Sequence, residues 1–147
     1  MSLTDLYQEI ILDHGRKPRN FGEIENPTHT AQGYNPLCGD HVTLQITVHD
    51  GVVQEIRFSG SGCAISTASA SMMTQLVKGK PVEAALDLFD RFHKSVVGTA
   101  DGEAEDLGEL NCLSGVRQYP NRIKCATLPW HALKSALLQD PDPVTTE

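Results

Sequence analysis

The chain reads as a single α+β domain. Three observations predict this class: a helical apolar pattern near the N-terminus, a strictly alternating strand pattern around a two-residue turn signal, and a series of helical segments after it. Leu3, Leu6, Ile10 and Ile11 recur at helical spacing. Ser2 followed by Asp5 fits a capping box opening this helix, and Gly15 with Pro18 closes it. Residues 16–30 are rich in Pro, Gly and Asn and read as loop. Val42, Leu44, Ile46 and Val48 then alternate with polar residues, Asp50-Gly51 supplies a tight turn, and Val52, Ile56 and Phe58 continue beyond it. That is a β-hairpin with a type I′ turn. A third strand around Ala31–Asn35 is expected to pair with it, because an isolated hairpin is only marginally stable.

After Gly60-Ser61-Gly62 the pattern becomes helical from Cys63 to Lys78, with Gly79 as the C′ residue. Pro81 suits the first turn of the next helix, which carries Ala84, Ala85, Leu88, Phe89 and Phe92 on one face. Residues 98–109 hold five acids (Asp101, Glu103, Glu105, Asp106 and Glu109) and no base, and read as a solvated connection. Two helical stretches follow, Leu107–Gln118 and about Pro120–Gln139. Pro129 falls inside the last of them and removes the bond to the Cys125 carbonyl, so a kink or a restart near Cys125 is expected. The domain spans residues 1–139, and 140–147 reads as a disordered tail.

Composition narrows the function classes. The chain has 147 residues, 39% of them hydrophobic, enough for one core, and only one Trp, so that core should be mainly aliphatic. A formal net charge of −7 argues against nucleic acid or an anionic membrane surface as main partners, since both call for a basic face. The densest basic run, Arg16-Lys17-Pro18-Arg19, is short enough to be a solvated loop. The N-terminus lacks the basic and apolar regions of a signal peptide, and no apolar run approaches a membrane span, so a cytoplasmic protein is expected. In a reducing cytosol, cysteines point to metal or thiol chemistry rather than disulfides.

Three cysteines have suggestive surroundings. Cys38 and Asp40 are two positions apart, which in an extended segment puts both on one face, with Gly39 allowing them to converge. A free cysteine beside a turn aspartate is the competing reading. Cys63 follows a Gly-Ser-Gly turn and opens a helix, where orphan N–H groups favour its thiolate. Cys125 follows Lys124 with Arg122 close by, and a neighbouring cation has the same effect. Three thiolates and one carboxylate suit tetrahedral Zn²⁺ or a labile iron–sulfur site. Cys112 lies among Leu110, Leu113 and Val116 and reads as a core residue. His41 adjoins Asp40 but should face the other side of its strand.

Taken together, four segments resemble the U-type iron–sulfur assembly family (IscU/NifU-N/SufU). They are Leu6-Tyr7-Gln8-Glu9-Ile10-Ile11-Leu12-Asp13-His14, Asn35-Pro36-Leu37-Cys38-Gly39-Asp40, Gly60-Ser61-Gly62-Cys63-Ala64-Ile65-Ser66 and Arg122-Ile123-Lys124-Cys125-Ala126-Thr127-Leu128. The resemblance implies a SufE/NifU-like (IscU-like) single domain with a three-stranded antiparallel sheet packed against several helices. It also implies a shared site at Cys38, Asp40, Cys63 and Cys125. Scaffold members have a histidine where this chain has Lys124, and a Leu-Pro-Pro-Val-Lys motif where it has Tyr119-Pro120-Asn121-Arg122. Those departures, and a longer segment between Gly79 and Tyr119, point to the SufU-type branch.

That branch implies a Zn²⁺-bound sulfur acceptor, a sulfurtransferase-type partner of a pyridoxal-phosphate cysteine desulfurase (SufS-type). Cys38 would be the persulfide acceptor, freed when a desulfurase histidine replaces it on zinc. Lys124 and Arg122 would support the site. The alternative is a scaffold carrying iron or a [2Fe–2S] cluster on the same residues, and a purely structural zinc module is a third possibility. Either functional route ends at a downstream scaffold or apo-proteins.

Overall fold

The structure is a computed structural model that describes residues 3–36, 38–97, 110, 112–113, 119–139 and 143–145. Its elements, in chain order, are α1 (Leu3–Arg16), β1 (His29–Asn35), β2 (Asp40–His49), β3 (Val52–Ser61), α2 (Ala64–Val77), α3 (Val82–Val97), α4 (Pro120–Leu137) and β4 (Val144–Thr145). The class is α+β, as expected. The acidic stretch 98–109, most of the helix expected over Leu107–Gln118, and Ser2 of the capping box lie outside the described residues.

The hairpin forms where the alternation placed it. Asp50 and Gly51 have φ of 53° and 75°, the two positive values a type I′ turn requires. Val42, Leu44 and Ile46 of β2 are buried on one face. On β3 the inward residue near the turn is Val53 rather than Val52. A register shift between Thr47 and Val48 explains the difference: the irregularity inserts a residue, so Val53 and Ile56, three apart, both face the core.

The sheet has four strands in the order β3-β2-β1-β4, not three. β4 pairs parallel to β1, with Val144 opposite Gly33 and Thr145 opposite Tyr34, so the sheet is mixed. Residues 144–145, expected to belong to a disordered tail, therefore extend it. A two-residue strand carries no periodicity of its own, and its pairing with β1 is long-range. The opposite edge is covered too: Gly22 N–H donates to the Phe58 carbonyl at 2.8 Å, and Phe58 N–H to the Asn20 carbonyl at 3.1 Å. These contacts shorten the unpaired backbone through which sheets aggregate.

α2 and α4 pack on the buried face of the sheet, with α1 against α2 and α3 against α4. α1 runs through Gly15 to Arg16 before the chain breaks toward Pro18. α2 is lined with small residues that admit close neighbours. Ser69 Oγ donates to the Ala126 carbonyl at 2.5 Å and accepts the Trp130 Nε1–H at 3.0 Å, which ties α2 to α4. Gly79 at φ +86° ends α2 as its C′ residue. On α3, Ala85, Phe89, Phe92 and Val96 are buried, whereas Ala84 faces solvent. The Phe92 ring stacks on Trp130 with centroids 4.6 Å apart.

α4 runs unbroken from Pro120 to Leu137 with Pro129 inside it, so the helix does not restart at Cys125. Pro120 occupies the first turn, where a missing N–H costs nothing. An interior proline costs about 3 kcal/mol. The burial of Leu128, Trp130, Ala132 and Leu133 on either side, each large apolar side chain contributing about 1.5–3 kcal/mol, outweighs it. Leu128 lies over Gly33, where an added Cβ would come within 3.0 Å of Leu128 Cδ1, so β1 and α4 approach closely at this point. No helix among the described residues is long and apolar enough to cross a membrane.

Candidate metal centre

Three junctions of the fold meet at the end of the sheet. The first is the turn between β1 and β2. Cys38 N–H donates to the Asn35 carbonyl at 3.2 Å, Pro36 holds the second position, and Gly39 turns the chain at φ +71°. Cys38 is exposed on this turn, while Asp40, the first residue of β2, is only 2% exposed.

The second junction leads from β3 into α2. Gly60, at φ +123°, passes so close to β2 that an added Cβ would collide with the His41 carbonyl oxygen, so only glycine fits. Cys63 is the N-cap of α2, and its Sγ accepts the Ser66 N–H at 3.4 Å. Its own N–H donates to Asp40 Oδ1 at 2.8 Å, and its Sγ lies 3.8 Å from Asp40 Oδ2. One carboxylate oxygen is thus held by backbone, and the other faces the thiols.

The third junction is the start of α4, which buries Cys125 with its Sγ 3.2 Å from Cys38 Sγ. Ligand atoms of Cys38, Asp40 and Cys125 all lie within 4.8 Å of one another, a group able to hold a metal ion. Cys63 stands outside that triangle and approaches it from the Asp40 side. Sulfurs sharing a tetrahedral ion at bonds of about 2.3 Å sit about 3.8 Å apart, so small side-chain adjustments suffice.

Electrostatics favour a cation here. Burial pushes the Cys125 thiol well above its ordinary range, and Cys38, Asp40 and Cys63 push it the same way. Ionisation of Cys125 therefore calls for a compensating positive charge. Three thiolates and one carboxylate around a divalent ion are a donor set that zinc accepts, and the partial charge of the α2 N-terminus offsets some of the remainder.

The structure brings together Cys38, Asp40, Cys63 and Cys125. Arg122, in contrast, is exposed, with its guanidinium 4.7 Å from the Tyr119 ring centroid, and Lys124 is half-buried. Cys112 is buried with its Sγ 3.9 Å from Met72 Sδ, in the core as expected. His41 faces away from Asp40 and stacks on Tyr34 at 4.7 Å. Asn35 was not singled out by the sequence. It is fully buried, and its Nδ2 reaches Cys125 Sγ at 3.7 Å. An Asn-Pro pair reads as turn chemistry, so nothing in the sequence marks this amide as inward-facing.

A thiol-rich cluster at three loop–element junctions of a small α+β sheet defines a candidate metal centre of the thiolate–carboxylate class. The chain belongs to the NifU-like N-terminal domain family, whose profile matches residues 6–126. It is 41% identical over 139 residues to the zinc-dependent sulfurtransferase SufU of Bacillus subtilis, covering 95% of this chain and 94% of that one. It is 42% identical over 135 residues to the iron–sulfur cluster assembly scaffold protein IscU of Streptococcus pyogenes, covering 92% and 84%. The crystal structure of FiSufU, a SUF-system protein of Fervidobacterium islandicum, superposes with a TM-score of 0.83 at 33% identity, covering 92% of this chain and 99% of that one.

Proposed function

We propose that the protein serves iron–sulfur cluster biogenesis as a zinc-bound sulfur acceptor, receiving persulfide sulfur from a pyridoxal-phosphate cysteine desulfurase of the SufS type onto Cys38. One observation carries the reading: in a cluster whose Asp40 and Cys125 are buried, Cys38 is exposed. The buried groups suit anchoring, and the exposed one can be reached by a partner.

Cys38, Asp40, Cys63 and Cys125 would hold the Zn²⁺, whose chemical contribution is to keep the thiols deprotonated at neutral pH. The Cys38 thiolate attacks the terminal sulfur of the desulfurase persulfide. A new S–S bond forms on Cys38, the desulfurase S–S bond breaks, and its cysteine leaves as thiolate, so no external oxidant or reductant is needed. Gly39, with open space around it, leaves the approach to Cys38 uncrowded. Asp40 Oδ1, bonded to the Cys63 N–H, keeps the anchoring side in place. The relationship to the Bacillus subtilis protein supports this reading.

The test is metal content of the purified protein together with desulfurase turnover. Cys38→Ala should abolish stimulation of the desulfurase while the fold survives, since Cys38 lies on an exposed turn. Full stimulation by that variant refutes the proposal.

A second reading has its own support in the relationship to the Streptococcus pyogenes protein: a scaffold assembling [2Fe–2S] on the same residues for transfer to apo-proteins. It predicts charge-transfer absorption after anaerobic reconstitution and transfer to an apo-ferredoxin.

A further inference from the structure

Asn35 sits at the C-terminal end of β1, opposite Asp40 in the β1–β2 register, and is fully buried. It touches the cysteine–aspartate cluster at two points. Its backbone carbonyl accepts the Cys38 N–H and so closes the turn that presents Cys38. Its side-chain Nδ2 points at Cys125 Sγ. The remaining amide atom, Oδ1, is buried with no hydrogen-bond partner among the described residues.

An amide retained for packing alone is hard to reconcile with that arrangement. A buried unsatisfied oxygen is costly, and a neutral thiol is a weak acceptor that repays little of the cost. A thiolate is a much better acceptor, because hydrogen bonds to charged groups are roughly twice as strong as neutral ones. The opposite amide orientation would aim Oδ1 at the sulfur, repel a thiolate, and waste both N–H donors. The orientation in the structure, Nδ2 toward the sulfur, is therefore the one that suits a metal-ligating Cys125.

We propose that Asn35 is a positioning residue for the metal centre, donating an N–H···S hydrogen bond to the Cys125 thiolate and fixing that ligand in place. This rests on the reading that the cluster holds a metal ion. It gives the two close cysteines different tasks: Cys125 is anchored from behind by a buried amide, and Cys38, exposed on its turn, is the one open to exchange. Donation to the sulfur also withdraws charge from it, so the effect falls on the bond between Cys125 and the ion.

Two substitutions test this without disturbing the backbone bond to Cys38. Asn35→Leu keeps similar bulk and removes every side-chain hydrogen bond. Asn35→Asp keeps the shape and replaces the donor by a negative acceptor. Zn²⁺ affinity is measured by competition with a chromophoric chelator, and Co²⁺-loaded protein is read by its thiolate-to-cobalt charge-transfer band. Affinity should fall 10–100-fold in Asn35→Leu and further in Asn35→Asp, with the band displaced in both. The metal-free Asn35→Leu protein should melt no lower than wild type, since the unpaired Oδ1 is gone.

Wild-type affinity with an unmoved band in either folded variant overturns the assignment of Asn35 alone. Wild-type protein that takes up neither ion overturns the metal-centre reading and this assignment with it. Should Asn35→Leu not fold, Asn35→Asp decides by the same two readouts.

Discussion

Gly62→Ala probes the site through a single atom. A Cβ at Gly62 would lie 2.8 Å from Asp40 Oδ1, 3.4 Å from Asp40 Cγ and 3.5 Å from Asp40 Cβ. The three nearest atoms all belong to one side chain, and that side chain is buried. Gly62 is not among the positive-φ glycines, so alanine brings no backbone strain. Attractive carbon contacts begin near about 3.5 Å, so the carboxylate must retreat by roughly half an ångström. The 2.8 Å bond from Cys63 N–H to Oδ1 then stretches or breaks. Hydrogen bonds to charged groups contribute about 1.5–3 kcal/mol. If that loss falls on ion binding, at about 1.4 kcal/mol per decade, metal affinity drops about 10–100-fold.

The assay is chelator competition alongside thermal melting, with Gly51→Ala as the comparison. Gly51 lies at φ +75° in the hairpin turn with nothing within 4 Å of an added Cβ. That variant should lose about 1–2 kcal/mol of stability and keep its metal affinity. Metal affinity of Gly62→Ala within twofold of wild type would refute the placement of Asp40 in the site.

Two further predictions concern the frame around it. Ser69→Ala leaves the Trp130 Nε1–H and the Ala126 carbonyl without their buried partner, and should cost about 2–4 kcal/mol in urea denaturation; a loss under 0.5 kcal/mol would show that both groups find other partners. His131 is held below the usual histidine range by burial, then by the His93 and Lys134 charges facing it. Its folded form binds a proton less readily than the unfolded chain, so its contribution is present above about pH 6.5 and is lost as pH falls. Melting followed from pH 7.5 to 5 should therefore decline less steeply in His131→Phe, which keeps the aromatic contact with Phe89, than in wild type; identical slopes would refute it.

The legible parts of the fold were those written locally. Alternation from Val42 to Val48 and the Asp50-Gly51 pair specify the hairpin, because side-chain period and turn conformation depend on neighbours alone. The inward turn of Val53 is not legible, because a bulge shifts the alternation without a sequence signature. The restart that Pro129 suggests near Cys125 does not occur, because the packing of α4 outweighs a local penalty. β4 is not legible because it follows Pro141 and Pro143 and is too short for a pattern, and its partner lies far back in the chain. At the site, flanking residues singled out the three cysteines and Asp40. Their convergence is a tertiary fact, and so is the inward turn of Asn35.

Cys38 and Cys125 meet across a sequence separation of 87, and Asp40 and Cys63 across 23. No fragment of the chain that lacks either Cys38 or Cys125 can place these groups together. An ion held here binds the native state more tightly than the open chain, so the difference in binding energy adds to folding stability. Sulfur acceptance at such a site would double as an inspection of the chain: a misfolded or truncated copy would have a Cys38 but no anchoring side, and could not enter the relay.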